Sequence, residues 1–218
     1  MARPSALLLL ELAVQAAAFL CGVISASALT VTQGKFGGHC ILYGAVLYNG
    51  TLSFSSTSHV STCYFVSAIS MLAAVLSFSA LLYGIYSCCV GEGQSERMWL
   101  KGSLALSGSV LFFLLISACI LRVGMDALCS SILKAVAAIS CQEAQHRSWV
   151  RPYDAKKFYD NLYTAEAAAW VNFFFWCLIL LLLVRECVGG VPSQPLWGSG
   201  SARTNETTPI LGDGRPEP

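Results

Sequence analysis

Long apolar runs separated by polar stretches dominate the chain. Four reach the length of a membrane span: Ala6–Leu29, Tyr64–Val90, Leu100–Leu121 and Ala167–Val184, the last carried on to Cys187. Crossing about 30 Å of hydrocarbon takes roughly 20 mainly apolar residues in a helix, which satisfies its own backbone where lipid offers no partners. None of the runs alternates as a barrel strand does, and Leu178–Val184 is unbroken large aliphatic sequence. The pattern predicts an all-α membrane protein, a four-transmembrane-helix bundle with spans at 6–29, 64–90, 100–121 and 167–187. Loops of 30–63 and 122–166 then share one side, and the segments 1–5, 91–99 and 188–218 share the other. Ala26-Ser27-Ala28 resembles the end of a cleavable signal peptide. The run is nevertheless longer than the apolar core of about 7–15 residues such peptides carry, and it contains Glu11 and Gln15, so it reads as a retained helix.

Within the first loop the pattern changes. Two runs rich in β-formers, ILYGAVLY and TLSFSS, flank Asn49-Gly50, which predicts a β-hairpin turning there through a type I′ turn with both residues at positive φ. In the second loop Leu128, Ile132, Val136 and Ile139 recur at helical spacing, so the third span continues beyond the membrane or a separate helix follows it, and Pro152 interrupts any helix that reaches it.

Composition agrees with the spans: 56% of residues are hydrophobic and 11% charged, against about 25% charged in soluble domains. A net charge of +1 gives no field to steer nucleic acid, so the expected partner is the lipid bilayer and no nucleic acid. Lysine and arginine do not orient the bundle. With both termini cytosolic, Arg3, Arg97, Lys101, Arg185, Arg203 and Arg215 face Lys35, Arg122, Lys134, Arg147, Arg151, Lys156 and Lys157, six against seven.

Cysteine placement does orient it. Cys40, Cys63, Cys129 and Cys141 all fall in the two loops that share a side, whereas Cys88, Cys89 and Cys187 sit at helix ends on the other. That division suits disulfides in an oxidising lumen and palmitoylation at the cytosolic face. Four cysteines allow three connectivities, and Cys40–Cys63 with Cys129–Cys141 closes the two shortest loops. One straight helix would hold Cys129 and Cys141 roughly 18 Å apart, so local pairing requires a bend between them; otherwise each pairs with Cys40 or Cys63. Asn49-Gly50-Thr51 is a glycosylation sequon on the same side as these cysteines, and the tail sequon Asn205-Glu206-Thr207 is set aside as fortuitous, because a lumenal tail would leave the loop cysteines in the cytosol. Cys21, Cys119 and Cys177 lie inside spans and read as small packing residues.

Few polar groups lie within the spans. Glu11 and Gln15 share a helical face, and Glu11 is expected to pair with Arg185 at the same membrane face. Arg122 and Asp126 read as a local ion pair, and Asn172 as a donor across helices. Ala18-xxx-Gly22, Ser103-xxx-Ser107 and Ala105-xxx-Ser109 have the small-residue spacing of close helix packing. His39, His59 and His146 carry no zinc motif, and no nucleophile elbow or phosphate loop is present, so no catalytic residue, metal or cofactor is expected.

The tail turns to Gly, Pro, Ser and Thr, a composition expected to be disordered. Glu206 followed by Ile210 and Leu211 resembles an acidic dileucine signal, which implies clathrin adaptors as partners of the tail.

ELAVQAAAFLCG, TQGKFGGHCILYG, SACILRVG, ISCQEAQ and FYDNLYTAEAAAWVN resemble the transmembrane protein 179 family, most closely its B branch, over roughly residues 11–185. The resemblance implies a claudin-like four-helix bundle with cytosolic termini and a small extracellular sheet. The first loop has no tryptophan and parts Cys40 from Cys63 by twenty-three residues, unlike the claudin signature, so barrier function is not implied. The resulting expectation is a non-enzymatic tetraspan scaffold or accessory subunit. It would contact other membrane proteins through disulfide-braced lumenal loops and be sorted by its tail among plasma, endolysosomal or secretory granule membranes. The alternative is a channel or transporter component, for which polar residues at mid-membrane depth are the missing requirement.

Overall fold

Four long helices follow from the four apolar runs, and all four outlast them. The computed structural model describes residues 6–90, 97–136 and 140–189, with side chains described for 6–86, 101–136 and 140–188. The helices are α1 Ala6–Lys35, α2 Val60–Val90, α3 Arg97–Ala135 and α4 Phe158–Gly189, and each contains a stretch long and apolar enough to cross a membrane. At 1.5 Å per residue, the 39 residues of α3 extend about 58 Å, nearly twice the hydrocarbon thickness. The third helix therefore continues from Arg122 to Ala135, because Met125, Leu128 and Ile132 find buried packing beyond the apolar run. In the same way α4 begins at Phe158, ahead of the apolar run at Ala167.

α1 runs antiparallel between α2 and α4, while α3 packs on α4 and meets α2 less. Gly22 explains the close α1–α2 approach: a Cβ there would lie 2.8 Å from the Ser70 carbonyl oxygen and 3.0 Å from the Ala74 Cβ. Ser107 is buried in the bundle, but Ala105 and Ser109 are exposed, and the Ser109 hydroxyl donates back to the Ala105 carbonyl at 3.0 Å. That small-residue pair thus faces outward, not into a helix contact. Much of the outer surface is large apolar side chains, among them Leu20, Leu72, Phe112, Phe174 and Leu181, as lipid requires.

Strands β1 Cys40–Tyr48 and β2 Leu52–Ser58 form an antiparallel hairpin between α1 and α2. Tyr48 pairs with Leu52, leaving Asn49-Gly50-Thr51 as a three-residue loop in which only Gly50 takes positive φ, +80°. The expected two-residue type I′ turn is thereby replaced by a three-residue connection, which needs one left-handed residue instead of two. At the end of α1, Gly37 and Gly38 take positive φ and the Gly38 N–H donates to the Gln33 carbonyl at 2.9 Å, a Schellman-type stop.

Candidate functional site

The chain ends of α1, α3 and α4, the hairpin and the second loop meet in one body outside the bundle. Phe36, immediately after α1, is fully buried at its centre. Its ring lies 5.6 Å from Phe54, 5.8 Å from Trp149, 5.9 Å from Tyr153 and 6.2 Å from Phe158, mostly in edge-to-face geometry. Two of these residues come from the α1 end and the hairpin, and three from the second loop and the start of α4. The first loop lacks a tryptophan, and Trp149 of the second loop packs against its Phe54, the Trp149 Nε1–H donating to the Ala144 carbonyl at 3.0 Å.

Backbone bonds join the loops as well. The Leu52 N–H donates to the Ser148 carbonyl and the Val150 N–H to the Leu52 carbonyl, both at 3.0 Å, so the second loop lies as a short parallel bridge beside β2. The Asp154 N–H donates to the Lys35 carbonyl at 3.1 Å and Lys35 Nζ donates to the Lys156 carbonyl at 3.0 Å. The Val46 N–H donates to the Ser131 hydroxyl at 2.8 Å, and Gly124 lets α3 approach β1 so closely that an added Cβ would meet the Leu42 side chain at 2.8 Å.

Cys40 is bonded to Cys63 and Cys129 to Cys141, with Cα separations of 5.7 and 5.2 Å. The end of α3 at Ala135, between the two cysteines, provides the break in the helix that the second pairing needs. Cys40–Cys63 fastens the start of β1 to the first turn of α2, and Cys129–Cys141 folds the second loop back on α3.

At the base of this platform Arg122 joins two carboxylates. Its Nε lies 3.1 Å from Asp126, and its Nη1 donates to Glu166 Oε1 at 3.2 Å. Glu166 is buried, and its second oxygen has no protein partner. Sequence patterning gave Glu166 no role, although Leu162, Ala165, Glu166 and Ala169 share the buried face of α4 at intervals of three and four residues. Tyr43, Leu47, Tyr48 and Val150 stand exposed on the platform. An open recess of about 600 Å³ lies between the end of β1 and α3, lined by residues that include Tyr48, Ser130, Ser131 and Lys134.

The remaining anticipated residues are placed as follows. Asn49 and Thr51 are exposed at the hairpin tip. Cys187 is a free, partly exposed thiol near the end of α4. The backbone of Cys88 and Cys89 lies in the last turn of α2, and their side chains, like Glu206, Ile210 and Leu211, fall outside the described residues. Glu11 does not pair with Arg185. The ion pairs among the described residues are those of Arg122, and the charged group that acts on Glu11 is Glu186, the neighbour of Arg185 along α4. Asn172 makes no bond across helices: it is fully buried with both amide atoms unpartnered. Among the described residues no group of three His, Cys, Asp or Glu side chains is arranged to hold a metal ion.

A four-helix membrane bundle bearing a small antiparallel sheet, braced where the loops meet, defines a claudin-like multi-pass membrane protein. The transmembrane protein 179/179B claudin domain matches residues 7–210, and the chain belongs to that family. The match extends past the 11–185 stretch that carried the resemblance and into the tail. The chain is 46% identical to transmembrane protein 179B of Danio rerio over 213 residues, covering 96% of this chain and 97% of the relative. It is 43% identical to the Homo sapiens protein of that name and 41% to the Mus musculus one, over 204 residues and 93% of each chain. No solved structure matches it.

Proposed function

We propose that the protein is a non-enzymatic scaffold or accessory subunit that binds other membrane proteins through its platform and is sorted by its tail. The carrying observation is that Tyr43, Leu47, Tyr48 and Val150 are exposed on a body braced by two disulfides and a five-ring aromatic core. Exposed aromatic and aliphatic side chains on a preorganised surface are what protein partners bury, since little ordering entropy is lost on contact. Proximity labelling from the tail, comparing wild type with Leu47→Ser/Tyr48→Ser, tests this reading. Loss of membrane-protein neighbours is expected, and an unchanged set of neighbours overturns it.

The bonded cysteines support a lumenal or extracellular platform and cytosolic termini. In that orientation Asn49 accepts an N-glycan, Cys88, Cys89 and Cys187 accept palmitate, and Glu206, Ile210 and Leu211 engage clathrin adaptors. Glycosidase treatment should shift the mobility of wild type and Asn205→Gln but not of Asn49→Gln; the reverse pattern would invert the topology. A channel or transporter component is the second reading, favoured by buried polar side chains on all four helices at mid-bundle. Solute flux in proteoliposomes holding only this protein separates the two, and none is expected from a scaffold.

A further inference from the structure

Buried polar groups in native proteins are almost always hydrogen-bonded, so a cluster that is not calls for an occupant. Such a cluster lies in the middle of the bundle. Gln15 Oε1 of α1, Ser77 Oγ of α2, Ser117 Oγ of α3, and both amide atoms of Asn172 and the Trp176 Nε1 of α4 have no hydrogen-bond partner. The residues are 7%, 0%, 0%, 0% and 4% exposed, respectively.

Three tertiary contacts set these groups at one depth. Nearer the platform, the Ser25 hydroxyl donates to the Ala165 carbonyl at 3.1 Å and the Ser70 hydroxyl to Ser25 at 3.4 Å. Two helical turns from that level, on the same faces, stand Ala18, Ser77 and Asn172, each seven residues along its helix and so about 10 Å away. The Arg122–Glu166 contact fixes α3 against α4. Ser117 lies five residues before Arg122 and Asn172 six after Glu166, a similar distance along each helix from that contact. Gln15 and Trp176 are one turn further, where the Trp176 ring packs in a cluster with Val14, Ala18, Ala73 and Leu114. The serine hydroxyls of the upper level thus have partners, whereas the six polar atoms of the lower one have none.

The geometry points to this layer as a buried hydration site. Its chemistry selects the occupant. Asn172 Nδ2 and Trp176 Nε1 donate, Gln15 Oε1 and Asn172 Oδ1 accept, and the two serine hydroxyls do either. The lining atoms carry no net charge, and a mixed set of donors and acceptors matches a small neutral molecule that is both donor and acceptor, not an ion. Water makes about three hydrogen bonds in such sites, so the six unpartnered atoms correspond to about two molecules.

The test uses the full-length protein in lipid nanodiscs with 15N-labelled tryptophan, the Trp176 indole resonance being assigned by its loss in Trp176→Phe. A hydrated layer gives a cross-peak between the Trp176 indole proton and water, and deuterium replaces that proton at least tenfold faster than in Asn172→Leu, where an apolar side chain fills the site. Ser117→Ala, a milder change, should weaken the cross-peak with the fold intact. Absence of a water cross-peak in wild type, with equal indole exchange in wild type and both variants, overturns the inference. Cross-peaks to lipid or detergent protons in place of water overturn it equally.

Discussion

Phe36 connects the two loops, and replacing it by alanine measures whether they fold as one body. The ring is wholly buried and meets four other rings between 5.6 and 6.2 Å. Removing a buried phenylalanine side chain costs about 4 kcal/mol in lost transfer and cavity energy. Phe36→Leu keeps most of the volume and loses the ring geometry. At about 0.5 kcal/mol for each of four ring pairs, it should cost roughly 2 kcal/mol. Hydrogen exchange followed by mass spectrometry reads this locally, since amides that exchange through opening of the platform speed up about tenfold for each 1.4 kcal/mol. The Leu52 N–H, bonded to Ser148, and the Val150 N–H, bonded to Leu52, report the first and second loops respectively. Exchange in both should rise about a thousandfold in Phe36→Ala and about thirtyfold in Phe36→Leu. Loss of protection confined to the first loop, with 148–150 unchanged, would refute a single cooperative core.

Three further changes probe the bracing and the bundle. Serine replacement of Cys40 and Cys63 should destabilise the platform by about 3.4 kcal/mol, and of Cys129 and Cys141 by about 2.8 kcal/mol, on loop-closure entropy, because the bonded residues are 23 and 12 apart; thermal unfolding in detergent gives the order, and the opposite order counts against the entropic account. Gly22→Ala should destabilise the bundle by about 1–3 kcal/mol through overpacking, since its Cβ would meet Ser70 at 2.8 Å. Gly34→Ala, with nothing within 4 Å, should be neutral or stabilising in the same thermal assay. Arg122→Gln leaves buried Glu166 without its cation and should lower the thermal midpoint, whereas the double variant Arg122→Gln/Glu166→Gln should recover part of the loss. A double variant less stable than Arg122→Gln would show that burial of Glu166 is not what makes the pairing matter.

What the residues revealed in advance, and what they hid, divides along one physical line: period and composition are local, whereas the rotational phase of one helix against another is not. Runs such as Leu178–Val184 disclose a span without any knowledge of its neighbours, and Asn49-Gly50 discloses a reversal between two β-rich runs. Hydropathy, however, marks where lipid ends and not where a helix ends. Leu128 and Ile132 continue α3 past Arg122 because the hairpin gives them something to pack on, and their amphipathic spacing was the only trace of it. Glu11 and Arg185 share a membrane face by residue count, yet no ion pair joins them and the charge that acts on Glu11 is that of Glu186. The polar layer is the extreme case. Ser77 and Ser117 are isolated hydroxyls inside apolar runs, indistinguishable singly from ordinary packing residues, and Asn172 stands out only as a donor to some neighbouring helix. Only Ser25 on Ala165, Ser70 on Ser25 and Arg122 on Glu166 give the helices a common register that brings them to one depth. Each of those contacts joins residues more than forty positions apart, beyond the reach of any periodicity within a single helix.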